Sequence, residues 1–582
     1  MFGAMLMRLA PLLEYSLWGS DWGEYFHLAD RLVQDGHHPD GSLGWGRAYI
    51  DFPGLFDLIG AIALVTGLGT VASITFIIPC VTAISCLLAA CIVLRLGGGP
   101  WAALVTAVVL AVIFPEVFTN SHPVPGPLGS VLVMGAMLVF IIGDTWRRDE
   151  GLDAERPMKL YVLLLLLLLV LMVTHHLSHL FLIIVIGMAY LARAALVLGM
   201  EPDRESWGLW SLTAALALAT VYWLLVAETF REEVMVDLAG VSGYVMMALA
   251  WVALVLMLIG GMAFRRRRGK VPSLPFWGTR ELVPSLVTYF LIAVAVVVLV
   301  AAFGFPGTDI VPGGDLVVYT FPTIAVLALI VGSTDVVLRK QGGHNVVAWL
   351  VAIAASFLVV VVLQSRVLIP YRHIPYILEA SAILIGFGTV HLIVMFMPPS
   401  AKKARRGRFL TPILVLGLVL VACLALTAYP PKAVMGGYQE GTTESELGAS
   451  IWLQSGLPTP GADPEDLSAG AVATDHRLSS MAFGIGGQMA TWDTAGPVLH
   501  GERDGATWAA LEETDTPHGD RPVTAVVLSE DFRTGAALSQ FDTARPVEGE
   551  AWDKFFGPPF IRVYDGGDVW VMYVVRPLDI TG

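Results

Sequence analysis

The feature that most limits how this chain can fold is a series of apolar runs, such as YVLLLLLLLVLMV (161–173) and VTYFLIAVAVVVLVAAF (287–303). At about 1.5 Å of helical rise per residue, these runs approach or reach the roughly 30 Å of a bilayer's hydrocarbon. Hydrocarbon offers no partner to a backbone amide, so only helices can span it with such sequences. Spans fall near 70–95, 101–115, 126–144, 159–174, 177–195, 208–228, 242–264, 284–304, 317–338, 345–364, 374–397 and 409–428, about twelve in all. With 56% hydrophobic and 14% charged residues, a soluble protein is excluded.

Basic clusters recur at every second loop: Arg147, Arg148 and Arg156; Arg265 to Arg268 with Lys270; Arg339 and Lys340; Lys402, Lys403, Arg405, Arg406 and Arg408. The positive-inside rule makes those loops cytoplasmic. Residues 1–52, the loop 115–126, the THHLSH turn, the loops 229–241 and 305–316, the 365–373 turn and the tail then share the extracytoplasmic face. Counting PGLFDLIGAIALVTG (53–67) as a span would reverse this parity, so it is expected to lie on the outer surface as a juxtamembrane helix. The opening MFGAMLMRLAPLLE is short for a span and carries no signal-peptide cleavage pattern, and a first helix is expected upstream of it. The expected organisation is a first outer loop (1–52), a transmembrane domain (53–428) and an extracytoplasmic domain (429–582).

The net charge of −14 resides in the tail, where residues 430–582 hold 23 acidic against 9 basic side chains. Such a balance argues against nucleic acid and against docking on an anionic leaflet. Cys80, Cys86, Cys91 and Cys423 lie in apolar runs, without a disulfide framework or metal-type spacing. In the tail, TESELGASIWLQ reads as a helix opened by a Thr443/Glu446 capping box. AVATD, VTAVVLS and a hairpin turning at Asp565-Gly566-Gly567-Asp568 read as strands, which together make a small α/β domain.

Polar chemistry concentrates in a few outer segments. The first loop, LWGSDWGEYFHLADRLVQDGHHPDGSLGWGRAYIDFPG, crowds acids, histidines and aromatics before the membrane. Its Asp21 and Glu24 would share one helix face and either act as a base toward a hydroxyl or merely cap a helix. His175, His176 and His179 sit at the outer end of two apolar runs, where ionisable groups serve either a site or a helix bend. Arg366, Arg372 and His373 lie in QSRVLIPYRH on the side where the charge rule expects few cations. An arginine fork there suits a phosphate, with snorkelling as the bland alternative. Glu116 and His122 in FPEVFTNSHPVPG, and Asp475, His476 and Arg477 at a strand end, are accessory candidates.

The SDWGEYFH loop, the following Pro-Gly, the many spans and an exterior C-terminal domain together resemble the GT-C superfamily of membrane glycosyltransferases. Within it the layout is similar to the archaeal oligosaccharyltransferase catalytic subunits, and IWLQSGLP followed by AVATDHRLSS looks like the helix and strand that lead into their WWDYG motif, with Asp475 at the Asp position. Trp-Trp and Tyr-Gly are absent, as are paired acids after the second span. The resemblance implies a polytopic α-helical fold of about 12–13 transmembrane helices with a small extracytoplasmic α/β domain. It implies a polyprenyl- or dolichyl-phosphate-linked sugar donor, and a glycan, lipid or protein acceptor. It also implies Asp21 as catalytic carboxylate with Glu24 beside it, and an optional divalent metal. Arg366, Arg372, His373, His175 and His176 are then the candidates for the donor phosphate. An oligosaccharyltransferase-like enzyme of protein glycosylation is the nearest alternative. A transporter or flippase is the rival class, which would gather polar groups near the midplane rather than at one face.

Overall fold

The computed structural model describes residues 1–39, 44–145, 156–196, 202–237, 279–303, 314–363, 369–396, 403–435, 437–457, 470–517, 519–538 and 544–575. Six helices among them are long and apolar enough to cross a membrane: Thr70–Arg95, Pro125–Asp144, His176–Arg193, Trp207–Leu225, Gly343–Val361 and Pro370–Met395. Shorter apolar helices include Gly99–Val112, Met158–Thr174, Pro284–Val296, Val318–Gly332 and Ile413–Leu426. The chain is a multi-pass membrane protein, and the expected spans coincide with these helices. The expected span 242–264 lies outside the described residues, as do Arg366 and several of the basic clusters.

The opening residues form helix α1 (Phe2–Leu9) and a 3-10 turn, Ala10–Leu13, entered through Pro11. Helix α2 (Trp22–Asp35) follows in the first loop and ends at Gly36, whose φ of 75° suits a residue without a Cβ. Helix α3 (Gly54–Thr66) has 13 residues. That is about 20 Å of helix, well short of a bilayer. Its Leu55, Phe56 and Ile59 are buried in one cluster with Trp22, Tyr25 and Leu28 of α2.

The membrane helices bury a common apolar core in which Phe181, Trp349, Ile353 and Leu384 are wholly enclosed. At one end of the helices Asp144 pairs with Arg193 and accepts from Asn345 at 3.0 Å, and Arg95 donates to Thr145 at 2.8 Å. The helices Pro125–Asp144 and His176–Leu196 therefore end at this cluster and begin at the opposite face. His175 and His122 lie just before those beginnings.

Two small pieces of sheet organise the rest. Strand β1 (Leu17–Trp18) pairs antiparallel with β2 (Gly441–Thr442), joining the first loop to the tail. The tail carries a mixed five-stranded sheet in the order β4-β3-β5-β7-β6, built from β3 (Ala471–Ala473), β4 (Met489–Ala490), β5 (Val523–Ser529), β6 (Phe560–Asp565) and β7 (Val569–Val574). Central β5 is buried on both faces, whereas edge strand β6 is largely exposed. Helix α4 (Glu444–Gly456) opens with the complete Thr443/Glu446 capping box. Helix α5 (His476–Gly484) follows β3 directly.

Helix α5 also lies on α2 at a separation that only glycine allows. A Cβ on Gly23 would come 2.1 Å from the Ser480 carbonyl oxygen, and one on Gly484 would come 1.8 Å from the Gly23 carbonyl oxygen. Both contacts are backbone, so neither can yield by a rotamer change. Gly23→Ala and Gly484→Ala should each destabilise the docked tail by about 1–3 kcal/mol, the usual cost of overpacking. Gly417→Ala, where a Cβ meets nothing within 4 Å, should be neutral or stabilising. Thermal unfolding of the full chain in detergent reads this, and equal behaviour of the three variants would contradict the close crossing.

Candidate functional site

The site is assembled where α2, α5 and the helix ends opposite the Asp144–Arg193 cluster meet. Asp21 occupies the N-cap of α2, but its side chain makes no capping bond. Its Oδ1 instead lies 2.9 Å from Nε2 of His476, and its Oδ2 accepts from the Tyr25 hydroxyl at 3.4 Å. The other ring nitrogen of His476, Nδ1, lies 2.9 Å from Asp493 Oδ1, and the Trp45 indole donates to Asp493 Oδ2 at 3.1 Å. The chain of contacts continues from Tyr25 to the Tyr49 hydroxyl at 2.8 Å.

An imidazole with a carboxylate at each nitrogen can satisfy both only by donating from both, which is the imidazolium form. Burial opposes that charge, but the hydrogen bonds and charges of Asp21 and Asp493 outweigh it and hold the His476 pKa well above its ordinary value. Burial also pushes up the Tyr25 and Tyr49 phenols, reinforced by the Asp21 carboxylate, so both stay hydrogen donors.

Glu24 faces a different environment. Its Oε1 accepts from the Gly46 backbone at 2.8 Å, while its own backbone N–H donates to Ser480 Oγ at 3.0 Å. The two acids are thus given separate tasks, Asp21 toward His476 and Glu24 toward the loop backbone.

Arg372 sits on the 3-10 turn Pro370–His373 ahead of helix Ile374–Phe396. It lies within electrostatic reach of Tyr25, Tyr49 and Tyr371, and Tyr371 in turn feels Asp21 and Glu440. The charge of Arg372 also acts on His175 and His176. His175 Nδ1 is 2.6 Å from Ser178 Oγ, and Ser178 contacts the Tyr376 hydroxyl. The His176 ring lies against Phe52 and Phe230. Asp21, Arg372, His175 and His176 therefore share one neighbourhood.

The other sequence candidates are placed elsewhere or do structural work. His179 is wholly buried with Nε2 2.9 Å from the Ala215 carbonyl, and His373 lies between Ser356 Oγ at 3.0 Å and the Ile369 carbonyl at 3.3 Å. Asp475 caps α5 through the Leu478 N–H at 2.8 Å. Arg477 forks onto Glu446 at 2.5 and 2.6 Å, and that pairing holds the Glu446 carboxyl below its ordinary pKa although burial works the other way. His122 stacks on Trp18 with ring centroids 5.4 Å apart, and its Nε2 is 3.6 Å from Glu440. Glu116 is wholly buried and accepts from Asn120.

No family model and no curated protein matches the sequence. Solved structures do match. The oligosaccharyltransferase AglB of Archaeoglobus fulgidus, in complex with an inhibitory peptide and a dolichol-phosphate, superposes with a TM-score of 0.57 at 14% identity, over 91% of this chain and 69% of that one. The same enzyme tethered to an acceptor peptide containing the NVT sequon gives 0.57 and 14%, over 89% and 66%. The chain thus spans about two thirds of the archaeal enzyme's length. ArnT of Cupriavidus metallidurans bound to undecaprenyl phosphate matches with a TM-score of 0.48 at 13% identity, over 99% and 97%.

The chain shares the fold of the archaeal oligosaccharyltransferase. Among the described residues no group of three or more His, Cys, Asp or Glu side chains is arranged to hold an ion.

Sequence reasoning missed Tyr25, Tyr49, Trp45 and Asp493. Asp493 follows Trp492, whose φ of 50° is costly for a residue with a bulky side chain. The buried Trp492 ring and the Trp492 backbone N–H, which donates to Ser479 Oγ at 3.1 Å, hold that backbone and with it Asp493. The Trp-Asp pair directly after β4 was the available signal.

The groups facing His476 are Asp21 from α2, Asp493 from the turn Trp492–Thr494, and the rings of Trp45 and Trp492. Because its folded pKa is raised, its contribution to stability is fully present below about pH 6.5, the unfolded value, and is lost as pH rises through the folded value. Thermal unfolding of the wild-type chain should therefore weaken with rising alkaline pH more steeply than that of His476→Gln. Parallel pH dependences would contradict the imidazolium assignment.

Proposed function

We propose that the chain is a glycosyltransferase that moves a sugar from a polyprenyl-phosphate-type lipid donor to an acceptor on the extracytoplasmic face. This reading is supported by Asp21 accepting from Tyr25 at 3.4 Å, by Arg372 lying within electrostatic reach of Tyr25 and Tyr49, and by the fold shared with the dolichol-phosphate-bound archaeal enzyme. A carboxylate and a guanidinium so placed suit the two ends of one displacement. The placement of Arg95, Asp144, Arg193 and Asn345 at the opposite helix ends supports the orientation, since the basic loops flank that end.

In the proposed reaction the acceptor's nucleophilic atom attacks the anomeric carbon of the donor from the face opposite the phosphate. Its proton passes to Asp21. The bond from the anomeric carbon to the phosphate oxygen breaks, its electron pair stays on that oxygen, and polyprenyl phosphate leaves with the sugar's configuration inverted. Arg372 stabilises the charge that gathers on the leaving phosphate, with His175 and His176 beside it. The apolar surfaces of the membrane helices provide the solvent for the polyprenyl chain. Arg366, four residues before the Pro370–His373 turn, is proposed as a second contact to the phosphate.

Transfer from a panel of labelled polyprenyl-phosphate hexoses, followed in membranes carrying each variant, tests the assignment. Asp21→Asn should lower turnover by roughly 10²- to 10⁴-fold with donor binding nearly intact, the usual loss for a positioned proton acceptor. Arg372→Ala should weaken donor binding and turnover together, because it removes a contact made before and during reaction. Glu24→Gln should retain transfer if its task is to hold the loop. Wild-type rates in Asp21→Asn with a dead Glu24→Gln would move the base to Glu24.

A further inference from the structure

The geometry of Asp21 is set by a residue 455 positions away in the sequence. Of its two carboxylate oxygens, Oδ1 faces His476 Nε2 at 2.9 Å, and among the described residues Oδ2 holds the Tyr25 hydroxyl at 3.4 Å. The longer contact makes Oδ2 the more loosely held oxygen, the one an incoming acceptor can claim.

We infer that His476, delivered by the C-terminal domain and held by Asp493, is a positioning residue for Asp21. It fixes Oδ1 so that Oδ2 is turned toward the acceptor. The inference rests on the glycosyltransferase reading and deepens it: the membrane helices carry the donor, but the carboxylate is oriented only when the tail is docked.

Three independent features place His476 for this task. It opens α5, and Asp475 caps that helix through Leu478 N–H, so the imidazole's starting point is fixed by the helix itself. The ring is 1% exposed, enclosed by Trp45 at a centroid distance of 5.3 Å and Trp492 at 5.7 Å, so it has no alternative partner in solvent. Asp493 engages Nδ1 and is itself tied by Trp45, which leaves Nε2–H directed at Asp21. The β1–β2 pairing and the glycine crossing of α2 on α5 bring the two elements into this register. A group held by this many contacts orients its partner, and misplacing a reacting group by about 1 Å can cost on the order of 10²-fold in rate.

The test compares His476→Phe, His476→Gln, Asp493→Asn and Asp21→Asn in the purified full-length chain, using whichever labelled polyprenyl-phosphate hexose supports transfer. Phe fills the space without a donor, whereas the Gln amide can still donate to Asp21. Asn at 493 still accepts from Nδ1 but carries no charge. His476→Phe should lower kcat by about 10-fold or more while the donor KM stays within about twofold, a split expected for a group that orients a proton acceptor without touching the donor. His476→Gln should recover a substantial part of the lost kcat, and Asp493→Asn should fall between Gln and wild type. Should His476→Phe fail to fold, the Gln and Asn variants decide the matter, since both keep size and hydrogen bonding. Wild-type kcat in every His476 and Asp493 variant that folds, beside an inactive Asp21→Asn, would overturn this inference alone. Full turnover by Asp21→Asn, or no turnover of any donor by the wild type, would overturn the underlying reading and the inference with it.

Discussion

One buried imidazole joins two parts of this chain that are 455 residues apart in sequence: His476 lies 2.9 Å from a carboxylate oxygen on each side, Asp21 from the first loop and Asp493 from the tail. Taking an imidazolium out of water is costly, and it persists there only because both nitrogens find charged acceptors. The surrounding structure can be read as the scaffold for that placement. The β1–β2 pair, the glycine-lined crossing and the Arg477–Glu446 fork each fix one element of the tail against the loop or against itself.

The bilayer imposes the second constraint. Helices such as Pro125–Asp144 and His176–Leu196 satisfy their backbones internally, and their polar groups collect at the ends. One end holds Asp144, Arg193 and Asn345 in a closed cluster, and the other begins beside His122, His175 and Arg372. Segregation of this kind leaves the apolar length of the helices for lipid. It puts the polar chemistry where the tail can reach it, an arrangement suited to a lipid-borne donor and a water-borne acceptor.

What was legible in the sequence follows from the range of the interactions involved. Hydropathy placed the membrane helices because each span is decided by its own residues. The capping box at Thr443 and Glu446 and the hairpin at Asp565 to Asp568 were readable for the same reason. Asp21 stood out as an acid among aromatics beside apolar surface. His179 was an accessory candidate beside His175 and His176, and it turns to the Ala215 carbonyl of a neighbouring helix while the other two lie near Arg372. Spacing along one helix carries no information about which neighbour each face meets. Asp493, Tyr25 and Tyr49 were missed because their importance lies in pairings across loops and domains, which no local pattern records.

The central claim is that a lipid phosphate binds beside Arg372 with the Asp21 carboxylate facing it. Cryo-electron microscopy of the full chain in nanodiscs containing dolichyl phosphate addresses this directly. The account predicts phosphate density in contact with the Arg372 guanidinium, near His175 and His176, with His476 still seated between Asp21 and Asp493. Phosphate bound instead at the opposite helix ends, near Asp144 and Arg193, or a tail undocked from the first loop in the lipid-bound state, would contradict it.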